Sequence, residues 1–478
     1  MQPSEVVLVP RSRAPWEALL GPERWEILEH TVQLGQLLFS DKAMWCVNST
    51  ADGGGVAEML RTMLSYMQGA GMQARWAVIA GDPEFFAITK RIHNCIHGRP
   101  GDGGSLDAPE RWVFERASAA NFAGLKKLIE PGSVVMLHDP QTAALVRPLQ
   151  RHGCTVLWRT HIGAEHANEY VNAAWSFIEP YVAEADGLVF SRWIYVPNVL
   201  ANGPTAIVPP SIDPFAPKNQ ELDDETVRAV LRASGLLGGG HRGAAPVFRR
   251  LDGRLAEVTG RAVLFDGGPP AAPDRPIVLQ VSRWDRLKDH LGVMQAFADK
   301  IADRTDAELM LVGPDDEFVA DDPEASAVLN ELCAAHAALP GPIRRRIHIA
   351  SIPMADSDEN AVIVNALQRH ATVVVQKSIE EGFGLTVTEA MWKSRPLIAS
   401  AVGGLREQVT KETGVLLRDP HDLDEFADTA IELLDDRERA QTLGDAGRQF
   451  VFDNFLHDRH FRQYVGLVAR MAAASGSA

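Results

Sequence analysis

The chain has 478 residues, too many for one ordinary domain, and its 46% hydrophobic and 23% charged side chains are those of a soluble protein with material for two or three cores. With 63 acidic against 47 basic side chains, the net charge of −16 repels nucleic acid and anionic membrane, so neither is expected as a partner. Four scattered cysteines (Cys46, Cys95, Cys154, Cys333), no basic-then-apolar leader and no apolar run near ~20 residues predict reduced thiols and a cytoplasmic protein without a disulfide frame, zinc site or membrane span.

In chain order, Glu23 to Leu38 has a helical pattern. The apolar run 43–47 reads as a buried strand that passes through Asn48-Ser-Thr-Ala-Asp-Gly-Gly-Gly55 into a helix from Val56 to Gln68. A strand from Ala74 to Ile79 and a helix from Pro83 to Ile96 follow. Ser133 to Leu137 is a strand ending at His138 and Asp139, Gln141 to Gln150 a helix, and Thr155 to Trp158 a strand ending near His161. After a helix from Tyr170 to Ala185 come strands at 187–190 and 205–208. The segment from Ile212 to Asp274 is rich in Gly, Pro and Asp and reads as a connection with an insertion, carrying a helix from Asp224 to Ala233. The alternation then restarts, with strands at 277–281, 308–312, 347–349, 372–375 and 396–399. Helices fall between them, the clearest at 359–368 and 385–393; closing helices span 424–434 and 436–450, and the tail from Ala472 to Ala478 is expected to fray. Apolar strands separated by helices predict an α/β protein of two doubly wound, Rossmann-like domains facing across a cleft, with ligands at the carboxyl ends of the strands.

Several residues at those strand ends have chemistry suited to an activated sugar. Arg283 and Lys288, in Ser282-Arg-Trp-Asp-Arg-Leu-Lys288, suit two phosphates: the Arg as a bidentate fork, the Lys as a point charge. Arg286 is the alternative cation, and two solvated surface cations are the alternative reading. Glu381 and Glu389 lie eight residues apart around Gly384, Leu385 and Thr386, whose N–H groups open a helix and favour an anion. Different targets suit the two carboxylates, sugar hydroxyls for Glu381 and ribose hydroxyls for Glu389; an acidic residue stabilising a helix dipole is the alternative for Glu381. Gly53-Gly-Gly55, between a strand and a helix, permits close approach of a phosphate or sugar but is neither a dinucleotide fingerprint nor a Walker loop. His138, Asp139 and His161 are candidates for acceptor binding or base chemistry, against structural hydrogen bonding. The acidic stretch of Asp315, Asp316, Asp321 and Asp322 lacks calcium-loop spacing and reads as solvated, so no metal site is expected.

These residues resemble a known family. The segments Asn48-Ser-Thr-Ala-Asp-Gly-Gly-Gly-Val-Ala-Glu58, His138-Asp-Pro-Gln141, Trp158-Arg-Thr-His-Ile-Gly163, Ser282 to Asp289, Asn365-Ala-Leu-Gln-Arg-His370 and Glu381 to Glu389 resemble retaining glycosyltransferases of the GT-B fold, glycosyltransferase family 4. Within them the chain looks most like the trehalose synthases; the His-Asp-Pro-Gln and Trp-Arg-Thr-His segments narrow the resemblance to trehalose-forming or trehalose-cleaving relatives. The resemblance implies residues 1–215 as an acceptor domain, 216–450 as a nucleotide-sugar domain and 451–478 as a helix crossing back to the first.

It implies transfer of glucose from an ADP-, UDP- or GDP-glucose to free glucose, giving trehalose reversibly. Arg283 and Lys288 would neutralise the diphosphate, Glu389 bind ribose, and Glu381 hold the donor sugar. His161 would lie near the anomeric centre, His138 and Asp139 with the acceptor, and Gly54 and Gly55 on the phosphate side. The reaction would be a front-face attack assisted by the leaving phosphate, since no residue is an evident covalent nucleophile. No cofactor is obligatory on this reading; Mg2+ accompanying the nucleotide sugar and a homodimer are compatible with it. The alternatives are a trehalose phosphorylase using glucose 1-phosphate, or a family 4 glucosyltransferase with another acceptor. Arg283→Ala and Lys288→Ala are each expected to lower kcat at least about tenfold through lost charge stabilisation, measured as steady-state turnover of the folded variants.

Overall fold

A computed structural model describes residues 2–51, 54–239, 243–315 and 323–475. The chain divides into two units, residues 1–211 with 457–478, and residues 212–456. The chain therefore passes from one unit to the other at Ser211–Ile212 and again at Leu456–His457.

The first unit is built on seven strands: β1 (Ser4–Glu5), β2 (Met44–Asn48), β3 (Ala74–Val78), β4 (Val134–His138), β5 (Thr155–Thr160), β6 (Gly187–Phe190) and β7 (Thr205–Ile207). Their order is β1-β3-β2-β4-β5-β6-β7, all parallel except the two-residue edge strand β1, which pairs antiparallel with β3. Every residue of β2 and β4 is buried, as a sheet covered on both faces requires. One apolar cluster, including Trp45, Phe85, Phe114, Trp158, Phe177 and Phe190, fills the space between strands and helices.

The second unit carries β8 (Val247–Arg249), β9 (Leu255–Glu257), β10 (Val263–Leu264), β11 (Ile277–Val281), β12 (Glu308–Pro314), β13 (Ile347–Ile352), β14 (Val373–Gln376), β15 (Leu397–Ser400) and β16 (Val415–Leu417). Strands β8 and β9 form a hairpin; the other seven make a sheet of order β10-β13-β12-β11-β14-β15-β16, with only β10 antiparallel. A separate cluster around Trp284, Phe297, Leu311, Phe426 and Leu433 is its core. The expected pair of doubly wound sheets is thus present, each with its own core.

Several elements differ from the sequence reading. The first helix begins at Ala14 and continues to Leu38 across a kink, where Gly21 takes a φ of 72° ahead of Pro22. A long helix, Ala108–Leu125, was not predicted: its buried face includes Ala117, Ser118 and Asn121, too small and polar to register as an apolar stripe. The segment read as a helix from Gln141 begins as a 3-10 turn, Pro140–Leu145, before one α-turn, Val146–Arg151. The terminal helix runs His457–Ser475 rather than from residue 451, because Arg437–Asn454 is a separate helix. Ala472 to Ser475 are therefore helical instead of frayed, while residues 476–478 of that expected tail lie outside the described residues. No helix among the described residues is long and apolar enough to cross a membrane.

The Gly/Pro-rich insertion is more ordered than its composition suggests. Glu359 accepts hydrogen bonds from the Thr259 and Gly260 N–H groups, and Arg250 pairs with Asp356 (2.5 Å), so the acidic start of helix Ser357–His370 holds it down. At its other end β10 adds to the sheet edge. There His348 of β13 bridges two carboxylates, Asp266 (3.3 Å) and Glu308 (3.2 Å), with all three side chains at most 6% exposed. Burial alone would lower the His348 pKa, but the hydrogen bonds and charges of Asp266 and Glu308 reverse that and raise it to about 9.

That bridge sets a pH dependence. A group with a raised folded pKa stabilises fully below its unfolded value, ~6.5, and loses that contribution as pH climbs through the folded value. Between pH 6.5 and about 9 the protein should lose on the order of 3 kcal/mol from this group. In His348→Gln that component of the slope should be missing, as checked by urea denaturation across the window.

Candidate functional site

Winding direction places the candidate residues. In the first sheet the crossovers run one way from β2 to β3 and the other way from β4 onward, so the loops after β2 and β4 diverge and leave an opening. The Gly-rich turn follows β2, and His138 and Asp139 end β4. In the second sheet the same reversal falls between β11 and β14. Arg283 and Lys288 follow β11, and Glu381 follows β14.

In the first unit the structure brings His138, Asp139 and His161 together. The two imidazoles stack, with ring centroids 5.4 Å apart at 12°, and His138 Nδ1 lies 3.1 Å from His161 Nε2. Burial, reinforced by Arg159, holds both rings well below their ordinary pKa, so the contact is one N–H shared between neutral rings. The contact uses Nδ1 of His138 and Nε2 of His161, and Nε2 of His138 is buried without a hydrogen-bond partner.

Asp139 adopts a φ of 64°, rare outside glycine, at the tip of β4. The conformation is held from several sides. Its N–H donates to the Arg159 carbonyl (2.7 Å), its carboxylate accepts from the His161 N–H (2.9 Å), and its carbonyl accepts from Trp158 Nε1 (3.2 Å) and Thr142 Oγ1 (3.1 Å). Burial lifts its pKa to about 6, against the His161 N–H, the Arg159 charge and the Thr160 hydroxyl. Gly54 takes a φ of 83° and caps the helix Gly55–Gly69, with open space where a Cβ would stand; Gly53 lies outside the described residues.

In the second unit Lys288 Nζ donates to Glu381 Oε2 at 2.6 Å, both side chains being nearly buried. The same oxygen accepts from Ser378 Oγ (3.2 Å) and Gln376 Nε2 (3.3 Å). Arg283 is 63% exposed, and its partner among the described residues is Asp285, at 3.5 Å. Arg286, the alternative cation, is drawn to Glu331 (2.7 Å).

Gly384 sits in the left-handed region, φ 84° and ψ 59°, at the cap of helix Leu385–Trp392. A methyl there would meet Leu405 Cδ2 at 2.5 Å. The N–H groups of Leu385 and Thr386 are among those that a helix start leaves without intrahelical partners.

Glu389 does not join Glu381. It lies inside the helix, 5% exposed, with Lys218 Nζ 3.8 Å away. Lys393, one turn on, bonds the Glu389 carbonyl (2.9 Å) and Asn219 Oδ1 (3.1 Å). Burial pushes the Lys393 ammonium well below its ordinary pKa, against the attraction of Glu389. Asn365, in the quoted Asn-Ala-Leu-Gln-Arg segment, is structural: its amide donates to the carbonyls of Pro217 and Gln220, both at 2.9 Å.

Sequence reasoning missed Lys377, fully buried and paired with Asp289, and Ser378 and Gln376, which share Glu381. Their signal was the polar run 376–378 at a strand's carboxyl end. Asp315 is described, but Asp316, Asp321 and Asp322 lie outside the described residues. Among the described residues no group of three or more His, Cys, Asp or Glu is arranged to hold a metal ion.

Residues 46–197 match the family described as trehalose synthase, N-terminal domain, and residues 275–436 the family described as glycosyl transferases group 1. The chain is 31% identical over 428 residues to a trehalose synthase of Rubrobacter xylanophilus, covering 89% of each. It is 30% identical over 457 residues to a trehalose synthase of Thermococcus litoralis, covering 95% of each. A solved α,α-trehalose-phosphate synthase (UDP-forming) from Burkholderia vietnamiensis has the same fold, with a TM-score of 0.65 over 91% of this chain and 99% of that one, at 15% identity.

The turn beside Glu381 has no room for growth on its far side. A Cβ at Gly404 would stand 2.6 Å from Phe383 Cα and 2.8 Å from the Gly382 carbonyl oxygen, both main-chain atoms that must then move. Gly404→Ala should therefore lower the melting temperature by roughly 3–8 °C, checked by thermal unfolding.

Proposed function

Because the chain belongs to the trehalose synthase family, glycosyltransferases of the GT-B fold, we propose that it transfers glucose from a nucleoside-diphosphate glucose to free glucose, forming trehalose with retained configuration. The observation that carries the donor is the grouping of Arg283, Lys288 and Glu381 at one reversal of winding, beside a helix start capped by Gly384. Lys288 is held by Glu381; a diphosphate, carrying more charge than one carboxylate, would draw the ammonium towards itself. That exchange would leave Glu381 to accept from sugar hydroxyls. Arg283, already extended towards solvent, would close on the phosphates as a fork.

On this reading the first unit supplies the acceptor side. Asp139, ionised above about pH 6, would accept a hydroxyl proton of the incoming glucose in a hydrogen bond and orient it. Neutral His161 would face the anomeric centre without adding a positive charge that an oxocarbenium-like state would resist. The bond from C1 to the phosphate oxygen breaks with its electron pair going to the diphosphate. The acceptor oxygen bonds C1 on the same face, and its proton passes to the departing phosphate. Stabilising that phosphate is then the main catalytic task, which preorganised Lys288, Arg283 and the N–H groups of Leu385 and Thr386 suit. Glu389, held away from Glu381, would serve the ribose, and Gly54 and Gly55 would allow close approach of the donor.

The test is product formation from two mixtures: ADP-, UDP- or GDP-glucose with glucose, and glucose 1-phosphate with glucose. Trehalose is expected from the first. Trehalose from the second alone would replace this reading with a phosphorylase, and a different product with another acceptor would replace its acceptor.

A further inference from the structure

Arg159 has no task in the scheme above, yet it is fully buried on β5, two residues before His161. Its guanidinium donates to His460 Nε2 (2.9 Å), to the Tyr464 hydroxyl and to the Val208 carbonyl (3.0 Å), all neutral acceptors. A buried charge held by neutral groups alone is costly, and nothing in the packing of an α/β core demands one.

The bonds also have a direction. A guanidinium only donates, so Nε2 of His460 accepts and its proton sits on Nδ1. That N–H donates to Ser211 Oγ (2.8 Å), which leaves the serine hydrogen for Nδ1 of His457 (3.0 Å). One cation thus orders every proton from Arg159 to His457. Ser211 and His457 are also the residues at which the chain leaves the first unit and re-enters it.

At its other end Arg159 meets the acceptor side. Its carbonyl receives the N–H of Asp139, the residue held at positive φ, and the strand then delivers Thr160 and His161 to the Asp139 carboxylate. We propose that the Arg159 guanidinium is a positioning group for the acceptor side: anchored to the terminal helix through His460, Ser211 and His457, it holds the end of β5, whose main chain in turn fixes Asp139 and His161. This rests on the reading of Asp139 and His161 as acceptor-side groups.

The proposal has an electrostatic signature. The groups acting on Asp139 are Arg159, Thr160 and His161 from β5, and Tyr464 of the terminal helix feels its charge. Arg159 acts in turn on His138, His161, Cys46, Tyr464 and His460, the last of which also feels Arg459 of the terminal helix. Burial keeps the three histidines neutral, and it lifts the Cys46 thiol and the Tyr464 phenol to about 12, so Arg159 is the cation that acts on Asp139. Its removal should let the Asp139 pKa climb further, whereas a purely structural role would leave that titration alone.

The experiment is the pH profile of kcat/KM for glucose, with separate KM values for acceptor and donor, in Arg159→Gln, Arg159→Lys and Asp139→Asn. Arg159→Gln should move the acid limb upward by at least about half a pH unit and raise acceptor KM at least about tenfold while changing donor KM less than about twofold. Arg159→Lys keeps the charge and loses the fork: the acid limb should stay while acceptor KM still rises. If Arg159→Gln does not fold, a wild-type acceptor KM in Arg159→Lys overturns the proposal. An unmoved acid limb in folded Arg159→Gln, with both KM values changed alike, also overturns it. Asp139→Asn separates the two claims. If that variant keeps wild-type acceptor KM and acid limb, the acceptor-side reading itself fails; if it loses them while Arg159→Gln does not, only the role of Arg159 fails.

Discussion

Each unit depends on one topological constraint: a parallel sheet wound outward from its middle in both directions must part its loops where the winding reverses. Helices cross over on opposite faces there, and the two strand ends at that point are left uncovered. In each unit the candidate residues stand at this place in the sheet, β2 with β4 and β11 with β14. The residues that matter are short continuations of strands whose own side chains are buried. A strand fixed by packing on both faces transmits its rigidity to the next one or two residues, and the φ of 64° at Asp139 shows how far from relaxed such a continuation is held.

Buried charge is managed in two ways. Some cations are committed to nearby side-chain oxygens: Lys288 to Glu381, Lys377 to Asp289, Lys393 to Asn219 and Arg192 to Glu165. Arg159 is instead buried among neutral acceptors, where its field acts on the titratable groups around Asp139. An overall charge of −16 says nothing of this; the local arrangement decides what the protein can bind.

What the sequence revealed followed the strength of each local signal. The strands at 187–190 and 277–281 and the helices at 83–96 and 224–233 were legible to the residue, because apolar runs or Asp caps mark their ends. Helix Ala108–Leu125 was invisible as an apolar stripe, although Asp107 and Glu110 form a capping box that announced it. Strands β8, β9 and β10 are two or three residues long, below the length at which alternation can be seen. At the site, ends of strands were readable but pairings were not. Nothing in the spacing says that Lys288 meets Glu381, or that Glu389 faces Lys218, because those contacts are made by chain segments tens to hundreds of residues apart. Arg159 stood in a quoted segment without a role, since its partners come from the far end of the chain.

The edges of the two sheets carry a consequence of another kind. Central strands run four to seven residues, but the four outermost, β1, β7, β10 and β16, have two or three, and β1 and β10 run against the rest. A foreign strand laid along any of them would find only two or three rungs before the backbone turned away. Parallel sheets assemble slowly and leave their hydrogen-bonding rows open while they do. Trimming those rows to a few residues limits the growth of fibrils from copies of this chain, a safeguard that operates before any substrate is met.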